Sequence, residues 1–583
     1  MAEAKIHVLD LLPHNGDEDA PIKCETRTVA LVDEPEYEAL SYVWGDVRSL
    51  SVILVEVAGS KVPVTRNLHC ALRRLRLSDK TRTLWVDQLC INQDDIKEKT
   101  EQVQLMREIY SSCRTCILWQ GEVPDELPLE DARAVIELLE YMAAAARARD
   151  AGGSIPLHEP LAKDPGFQGP GRAISYLIGE GDDLDEAAKE RSWWTRIWTV
   201  QEAVLPSSLV LMWGPLSLPW ERVQEATNCW TGGAAEDIMC THIPMMGHFM
   251  ARIIWLEIAK SRYDSPMRVF FRWRFRRATD PRDKAYALMG LGDRGQLAMV
   301  EKCDYDLSPV RVFCLLTTDL ILAEEGLGPL VMDPRLDPEA ATPGVPRWAL
   351  DLIGSSPWNT DWHPIYGYDH YIAHSDRTLD LDAFKERMQE EPEVLRIEGA
   401  RADIVAHVAQ PMLRDKTHEP DEGRLIECLN EWREFGNKHT THRHTYWEAF
   451  ARTVLGDLIR DGDQDVDRRA TTDDLHEVYE YMADGIDSEA EGDVKRTLQY
   501  MTSNQTFFVT KTGLLGLGHK DTKPGEEVWV LHGGKMPFTL LPRGEGKTDE
   551  YDFGAKCYVQ GLMNGELFYW DDEAPEEKML RIY

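Results

Sequence analysis

The stretch Tyr37-Glu38-Ala39-Leu40-Ser41-Tyr42-Val43-Trp44-Gly45-Asp46 decides the fold. Its apolar-rich run over 37–43 reads as a strand, and Trp44-Gly45-Asp46 as the turn that ends it. Working outward, Leu84-Trp85-Val86-Asp87 and the run from Thr115 to Trp119 repeat the strand pattern. Between these two, Asp95 followed by Glu98 makes a capping box. The helix it opens carries Val103, Met106 and Tyr110 at helical spacing. Asn67 is placed to cap an earlier helix through Leu68, Leu72 and Leu75. Strands alternating with helices predict a parallel α/β sheet. Residues 4–31 read as two further strands, and 52–57 with 62–64 as a hairpin.

Downstream, 129–148 has the pattern of an amphipathic helix, and 149–190 is rich in Gly, Pro and Asp and reads as an inserted loop. A second helix is predicted over 192–204 and a strand at 209–213. Residues 222–330 look mostly helical, and 420–500 acidic and helical. From 505 onward, runs at 507–510, 527–531, 538–541 and 556–560 are separated by glycine turns and predict a small β-barrel or sheet. The expected organisation is N-terminal strands (1–36), an α/β domain (37–215, with an insertion at about 121–190), a mostly helical regulatory region (216–500) and a β-rich C-terminal domain (501–583).

Composition narrows the function. Lys plus Arg number 65 against 101 Asp plus Glu, a formal charge of −36. Such an excess repels phosphate backbones and anionic lipid, so neither nucleic acid nor a membrane is expected as partner. The one basic segment, 268–277, interleaves Arg with aromatics and reads as a helix with Arg toward solvent. No apolar run reaches membrane-spanning length, and the N-terminus lacks a secretory pattern. The 11 cysteines are odd in number and scattered among apolar segments, which fits reduced thiols and a cytoplasmic location. Cys113 and Cys116 enter a strand and read as core. His439, His442 and His444 sit in a polar loop, and no metal site is expected. Gly546-Lys547-Thr548 lacks the first glycine of a phosphate loop, and Gly513 to Gly518 has no helix after it, so neither marks a nucleotide fingerprint.

Four motifs resemble the fungal heterokaryon-incompatibility (HET) family: 37–46; 84–93 (Leu-Trp-Val-Asp-Gln-Leu-Cys-Ile-Asn-Gln); 102–110 (Gln-Val-Gln-Leu-Met-Arg-Glu-Ile-Tyr); and 191–202 (Arg-Ser-Trp-Trp-Thr-Arg-Ile-Trp-Thr-Val-Gln-Glu). The pieces at 280–288 and 513–518 extend the similarity. The HET domain is in turn similar to TIR domains, a flavodoxin-like fold. Here that second resemblance rests on Leu40-Ser41-Tyr42-x-x-Gly45-Asp46 and Trp198-x-x-x-Glu202. It implies a cell-death and innate-immunity factor whose TIR-like domain cleaves the nicotinamide–ribose bond of NAD, with Glu202 as the catalytic carboxylate. NAD or a related nucleotide would be substrate and no cofactor is needed. A protein trigger and self-assembly would activate it. The insertion departs from a compact TIR domain.

The chemistry is consistent with those residue types. Nicotinamide leaves as a neutral ring, and one fixed carboxylate can stabilise the oxocarbenium-like ribose. On a helical wheel Ile197, Val200 and Val204 form an apolar stripe, with Glu202 opposite and Trp198 one turn before it. Tyr42, Trp44 or Trp85 could stack on a base. Ser41, Tyr42, Trp44, Gly45, Asp46 and Asp87 lie at the carboxyl ends of predicted strands, where open α/β sheets bind ligands. Asp87 suits a cap on the following turn slightly better than a ribose contact, and Trp85 and Trp198 suit a core better than a stacking platform. The alternative function is a non-enzymatic adaptor that signals by protein–protein contact, with Glu202 structural.

Overall fold

The computed structural model describes the chain except residues 1–3, 46–52, 155–157, 159, 161–166, 182–183, 186–188, 190–191, 234–241, 262–264, 293–296, 301, 333–341, 354–366, 414–421, 462–465, 485–491, 545–548 and 570–574. The chain divides into two units. One is Met1–Gly295 with Glu301–Asp306, and the other is Gln296–Val300 with Leu307–Tyr583.

In the first unit nine strands form one sheet: β1 (Lys5–Leu11), β2 (Lys23–Ala30), β3 (Glu38–Ser41), β4 (Ile53–Val57), β5 (Ser60–Val64), β6 (Arg82–Trp85), β7 (Thr115–Trp119), β8 (Leu209–Trp213) and β9 (Leu216–Pro219). Their order is β5-β4-β2-β1-β6-β3-β7-β8-β9. Strands β6, β3, β7 and β8 run parallel. Strand β1 is antiparallel to both neighbours, and β9 is antiparallel to β8. The expected parallel sheet is therefore corrected to a mixed one. Links without a helix, such as β1 to β2 and β8 to β9, fold straight back. The central strands β3, β6, β7 and β8 are linked through helices and lie parallel, and β2 also pairs in parallel with β4, with the 3-10 turn Leu31–Asp33 and β3 between them. The parallel centre is apolar because both its faces are covered: Ala39, Leu40, Cys116, Ile117 and Leu118 are all buried.

The crossovers show where local signals hold. Helix Arg66–Leu75 buries Leu68, Ala71, Leu72 and Leu75 on one face. Its cap is Thr65, whose hydroxyl accepts from Leu68 N (3.4 Å). Asn67 sits inside the first turn, and its side chain is taken by tertiary partners: it donates to the Val43 carbonyl (2.7 Å) and accepts from the Trp119 indole (2.9 Å). Asp95 does cap helix Ile96–Gln104, accepting from Lys97 N and Glu98 N. Glu98, however, reaches Asn92 N and not Asp95 N. The helical run breaks at Leu105, and Met106–Ser112 is a separate helix. The 149–190 stretch is not all loop, for it contains helix Gln168–Ile178, anchored by buried Ile174 and Leu177. The basic segment also departs from expectation. Its helix spans Pro266–Trp273, and beyond it Arg274 and Arg276 turn into the core.

In the second unit a long strand, β10 (Leu395–Val408), joins a C-terminal sheet. A small hairpin of β11 (Leu458–Asp461) and β12 (Val466–Arg469) stands apart. The sheet comprises β10, β13 (Gln505–Thr510), β14 (Leu515–His519), β15 (Glu527–Leu531), β16 (Phe538–Pro542), β17 (Glu550–Val559) and β18 (Glu577–Ile582). Pairings run β10-β13-β14-β17-β16-β15 and back to β10, closing a barrel, while β18 bridges β10 and β17. Closure removes exposed edges. Strand β10 can serve three partners because it is long and its register shifts between Arg401 and Asp403. It lies within the stretch that sequence reads as helical. Helices Pro309–Ala323, Leu381–Glu390, Glu422–His439, Tyr446–Leu455, Thr472–Asp484 and Asp493–Thr502 pack into the same core. There Trp432 stacks on Phe507 (6.1 Å) and Phe450 packs on the same ring (5.6 Å).

Candidate functional site

Strands β3 and β6 are parallel neighbours, so their carboxyl ends lie side by side. Beyond β3 come Tyr42, Val43, Trp44 and Gly45, and beyond β6 come Val86, Asp87 and Gln88. Gly45 turns the chain with φ +78°, a conformation that costs glycine little. Asp46 lies outside the described residues. Across from these ends, Trp193–Thr195 makes one 3-10 turn, and helix Trp198–Val204 follows. This helix is short but firmly held. Ile197 N donates to the Arg277 carbonyl (2.8 Å), and Arg277 N donates to the Thr195 carbonyl. A backbone strap more than seventy residues downstream thus fixes its entry.

All seven residues of helix Trp198–Val204 are buried. Glu202, opposite the apolar stripe on the helical wheel, is therefore only 2% exposed. Its Oε2 accepts a short hydrogen bond from the Ser41 hydroxyl, and Ser41 in turn accepts from the Trp193 indole (2.7 Å). Oε1 has no hydrogen-bond partner among the described residues and is not a sealed polar atom. Burial pushes the Glu202 carboxyl up to about 7, against the pull of Arg196 and the Ser41 hydroxyl, with Asp87 adding to the rise. At neutral pH this group is poised between its two forms.

The outer part of the site is polar and half-buried. Trp44 donates its indole hydrogen to Asp87 Oδ2 (2.7 Å), and Gln88 N donates to Asp87 Oδ1 (2.7 Å). Asp87 both receives the Trp44 indole and begins a short helix, Asp87–Cys90. Burial raises its carboxyl above the usual range, opposed first by Arg196. Arg196 donates to the Tyr42 carbonyl (2.7 Å), lies 3.9 Å from Asp87 and covers the Trp44 ring at 5.9 Å. Its charge acts on Asp87 and Glu202 together. Trp44 is the one aromatic here with an accessible face. Tyr42 is buried and hydrogen-bonds Gln88 (3.3 Å). Trp85 is fully buried, edge-on to Tyr110 at 5.5 Å, and offers a ligand no face. Trp198 is also buried and supports Asp283, a residue of the Asp280-Pro281-Arg282-Asp283 turn.

The structure thus brings Ser41, Trp44, Asp87 and Glu202 to one place, with the Tyr42 backbone. It sets the Trp85 and Trp198 rings in the core. Trp193 and Arg196 were missed as site residues. Both stand inside the 191–202 motif, but no spacing rule ties them to Ser41. Among the described residues, no group of three or more His, Cys, Asp or Glu is placed to hold a metal ion. Gly546-Lys547-Thr548 falls outside them. No described helix is long and apolar enough to cross a membrane.

Comparison with known proteins places this site in context. Residues 37–202 match the family model described as Heterokaryon incompatibility protein (HET), and residues 435–576 match the Het-6 beta-barrel domain. The first covers β3, β6, β7 and Glu202; the second covers most of the barrel. Heterokaryon incompatibility protein 6, OR allele, of Neurospora crassa is 25% identical, over 96% of this chain and 94% of that protein. No solved structure matches. With a match to the HET model toward one end, a match to the Het-6 barrel at the other and a relative alike along nearly its whole length, the chain carries a HET domain and resembles heterokaryon-incompatibility proteins.

Proposed function

We propose that this protein executes a heterokaryon-incompatibility death response by hydrolysing NAD in a TIR-like HET domain. The observation that carries the reading is Glu202: a buried carboxylate, held by Ser41 and raised to about 7, behind strand ends that carry Trp44 and Asp87. Perturbed acids in such positions are where chemistry is done. Trp44 would stack on a flat ring, and Asp87 would accept from a ribose hydroxyl. Ionised Glu202 would face the sugar as the bond from C1′ to the nicotinamide nitrogen breaks. The electron pair leaves with nicotinamide. Water then adds to C1′, its proton passes to the carboxylate and on to solvent, and ADP-ribose is released. Entry to Glu202 requires Arg196 to swing off Trp44, a motion that a protein trigger or self-assembly would favour.

The test is nicotinamide release from NAD by the full chain, beside Glu202→Gln. The reading expects turnover that the substitution abolishes. Turnover untouched by the substitution removes Glu202 from the chemistry. The near-complete burial of Glu202 favours a second reading, a non-enzymatic adaptor, and absence of turnover at high protein concentration would select it.

A further inference from the structure

The basic segment contains a feature that the site above does not use. Arg276 is fully buried. Its guanidinium carbon lies 5.2 Å from the Trp273 ring centre, 5.8 Å from that of Phe275 and 6.0 Å from that of Trp194. Among the described residues, none of its three nitrogens has a hydrogen-bond partner, and the indole nitrogens of both Trp194 and Trp273 are likewise buried without an acceptor. Five buried nitrogens without an acceptor therefore belong to one arginine and two indoles whose ring centres lie within 6.0 Å of its guanidinium carbon, and every one of them is a donor. Glu180, whose charge acts on Arg276, is already engaged by Arg252 and His248. Arg252 adds repulsion, and with burial it pushes Arg276 well below the ordinary guanidine value. Yet a guanidinium does not give up its proton inside proteins. The charge stays, and a bare buried charge without an acceptor is among the costliest things a core can hold.

We propose that Arg276, Trp194 and Trp273 form a buried binding site for one small monovalent anion of the halide class, with chloride as the natural occupant. A cluster made only of donors demands an acceptor. One uncompensated positive charge calls for one negative charge. A weakly hydrated sphere loses less on entering aromatic walls than a phosphate or carboxylate, whose oxygens would need more donors than these. The site has a structural consequence. Trp194 packs edge-on against Trp193 (5.0 Å), and the Trp193 indole holds Ser41 against Glu202. The anion would stiffen the wall on which the candidate carboxylate is hung.

The test compares thermal unfolding of the full chain in sodium chloride and in sodium gluconate at equal ionic strength. The expected result is a midpoint that rises with the logarithm of chloride concentration, with a linkage slope of about one ion per molecule, and stays flat in gluconate. Arg276→Met should erase the difference between the salts. Crystals soaked in sodium bromide should show one anomalous peak within hydrogen-bond reach of Arg276. If Arg276→Met fails to fold, the salt comparison and the bromide density on the natural protein decide. Equal midpoints in both salts, or no bromide at Arg276, would mean that water serves these donors and would overturn the proposal.

Discussion

Replacing Glu202 by Gln should stabilise the protein at alkaline pH while leaving it little changed in acid. The folded-state value is about 7 against 4.5 for the free group, so the folded chain holds the Glu202 proton more tightly than the unfolded chain does. Between those two values unfolding releases a proton, and stability falls as pH rises, until by pH 8 the contribution is gone. At about 1.4 kcal/mol per unit, keeping Glu202 ionised in its buried position costs the fold about 3 kcal/mol. Gln is of the same size, keeps an oxygen for the Ser41 hydroxyl and carries no charge to desolvate. Urea unfolding of both proteins at pH 5, 6, 7 and 8 reads the effect. The gap in favour of Glu202→Gln should widen by about 2–3 kcal/mol from pH 5 to pH 8. A gap that is constant across this range, or one that favours Glu202 at pH 8, would refute the reasoning. The same substitution should cost all nicotinamide release. A group that destabilises the fold yet serves the reaction is the usual stability–activity conflict of an active site.

Three further outcomes are expected. Arg196→Gln removes the cation that draws Glu202 and Asp87 down, so the rise of nicotinamide release with pH should move from about 7 to higher pH. A pH–rate profile checks this. Asp319, in helix Pro309–Ala323, accepts from Met299 N (2.8 Å) and Val300 N (2.9 Å). Met299 N also reaches Oδ2 (2.9 Å), so in Asp319→Asn one oxygen can still serve both donors while the amide nitrogen stands as a donor beside Met299 N. The loss of the charged acceptor should cost about 1–3 kcal/mol in urea unfolding. Gly513 has φ +100°, and a β-carbon there would stand 2.7 Å from Thr441 N. Gly513→Ala should therefore lower the unfolding midpoint of the barrel unit by several degrees, read by differential scanning calorimetry.

Much of the sheet was legible because strands reveal themselves locally. The Thr115–Trp119 strand and the Phe507–Thr510 run read correctly from apolar content and β-branched or aromatic residues alone. Strand direction was not legible. Nothing in residues 5–30 says that β1 will insert beside β6, since direction depends on the links and on partners far along the chain. Strand β10 was lost because its burial alternates irregularly around Gly399 and a register shift, which blurs the period of two. At the site, the motif match found Ser41 and Glu202, but the reason they matter is their mutual hydrogen bond across 161 positions. The helical wheel gave the side of the helix that Glu202 occupies but not its burial, because a seven-residue helix can be enclosed on every side by other elements. Arg196 escaped notice because a single arginine among tryptophans carries no pattern; only folding shows that it lies over Trp44 beside Asp87.

The strap between Arg277 and Thr195–Ile197 bears on how such a module can be inherited. A gene fragment ending just past Glu202 would carry all four HET motifs of residues 37–202. It would nonetheless discard β8, the parallel neighbour of β7, together with the peptide that clasps the glutamate's helix. Recombination that moves this module between proteins must therefore carry the segment out to Arg277 as one piece. A transplant trimmed to the motifs would inherit the signature and not the socket.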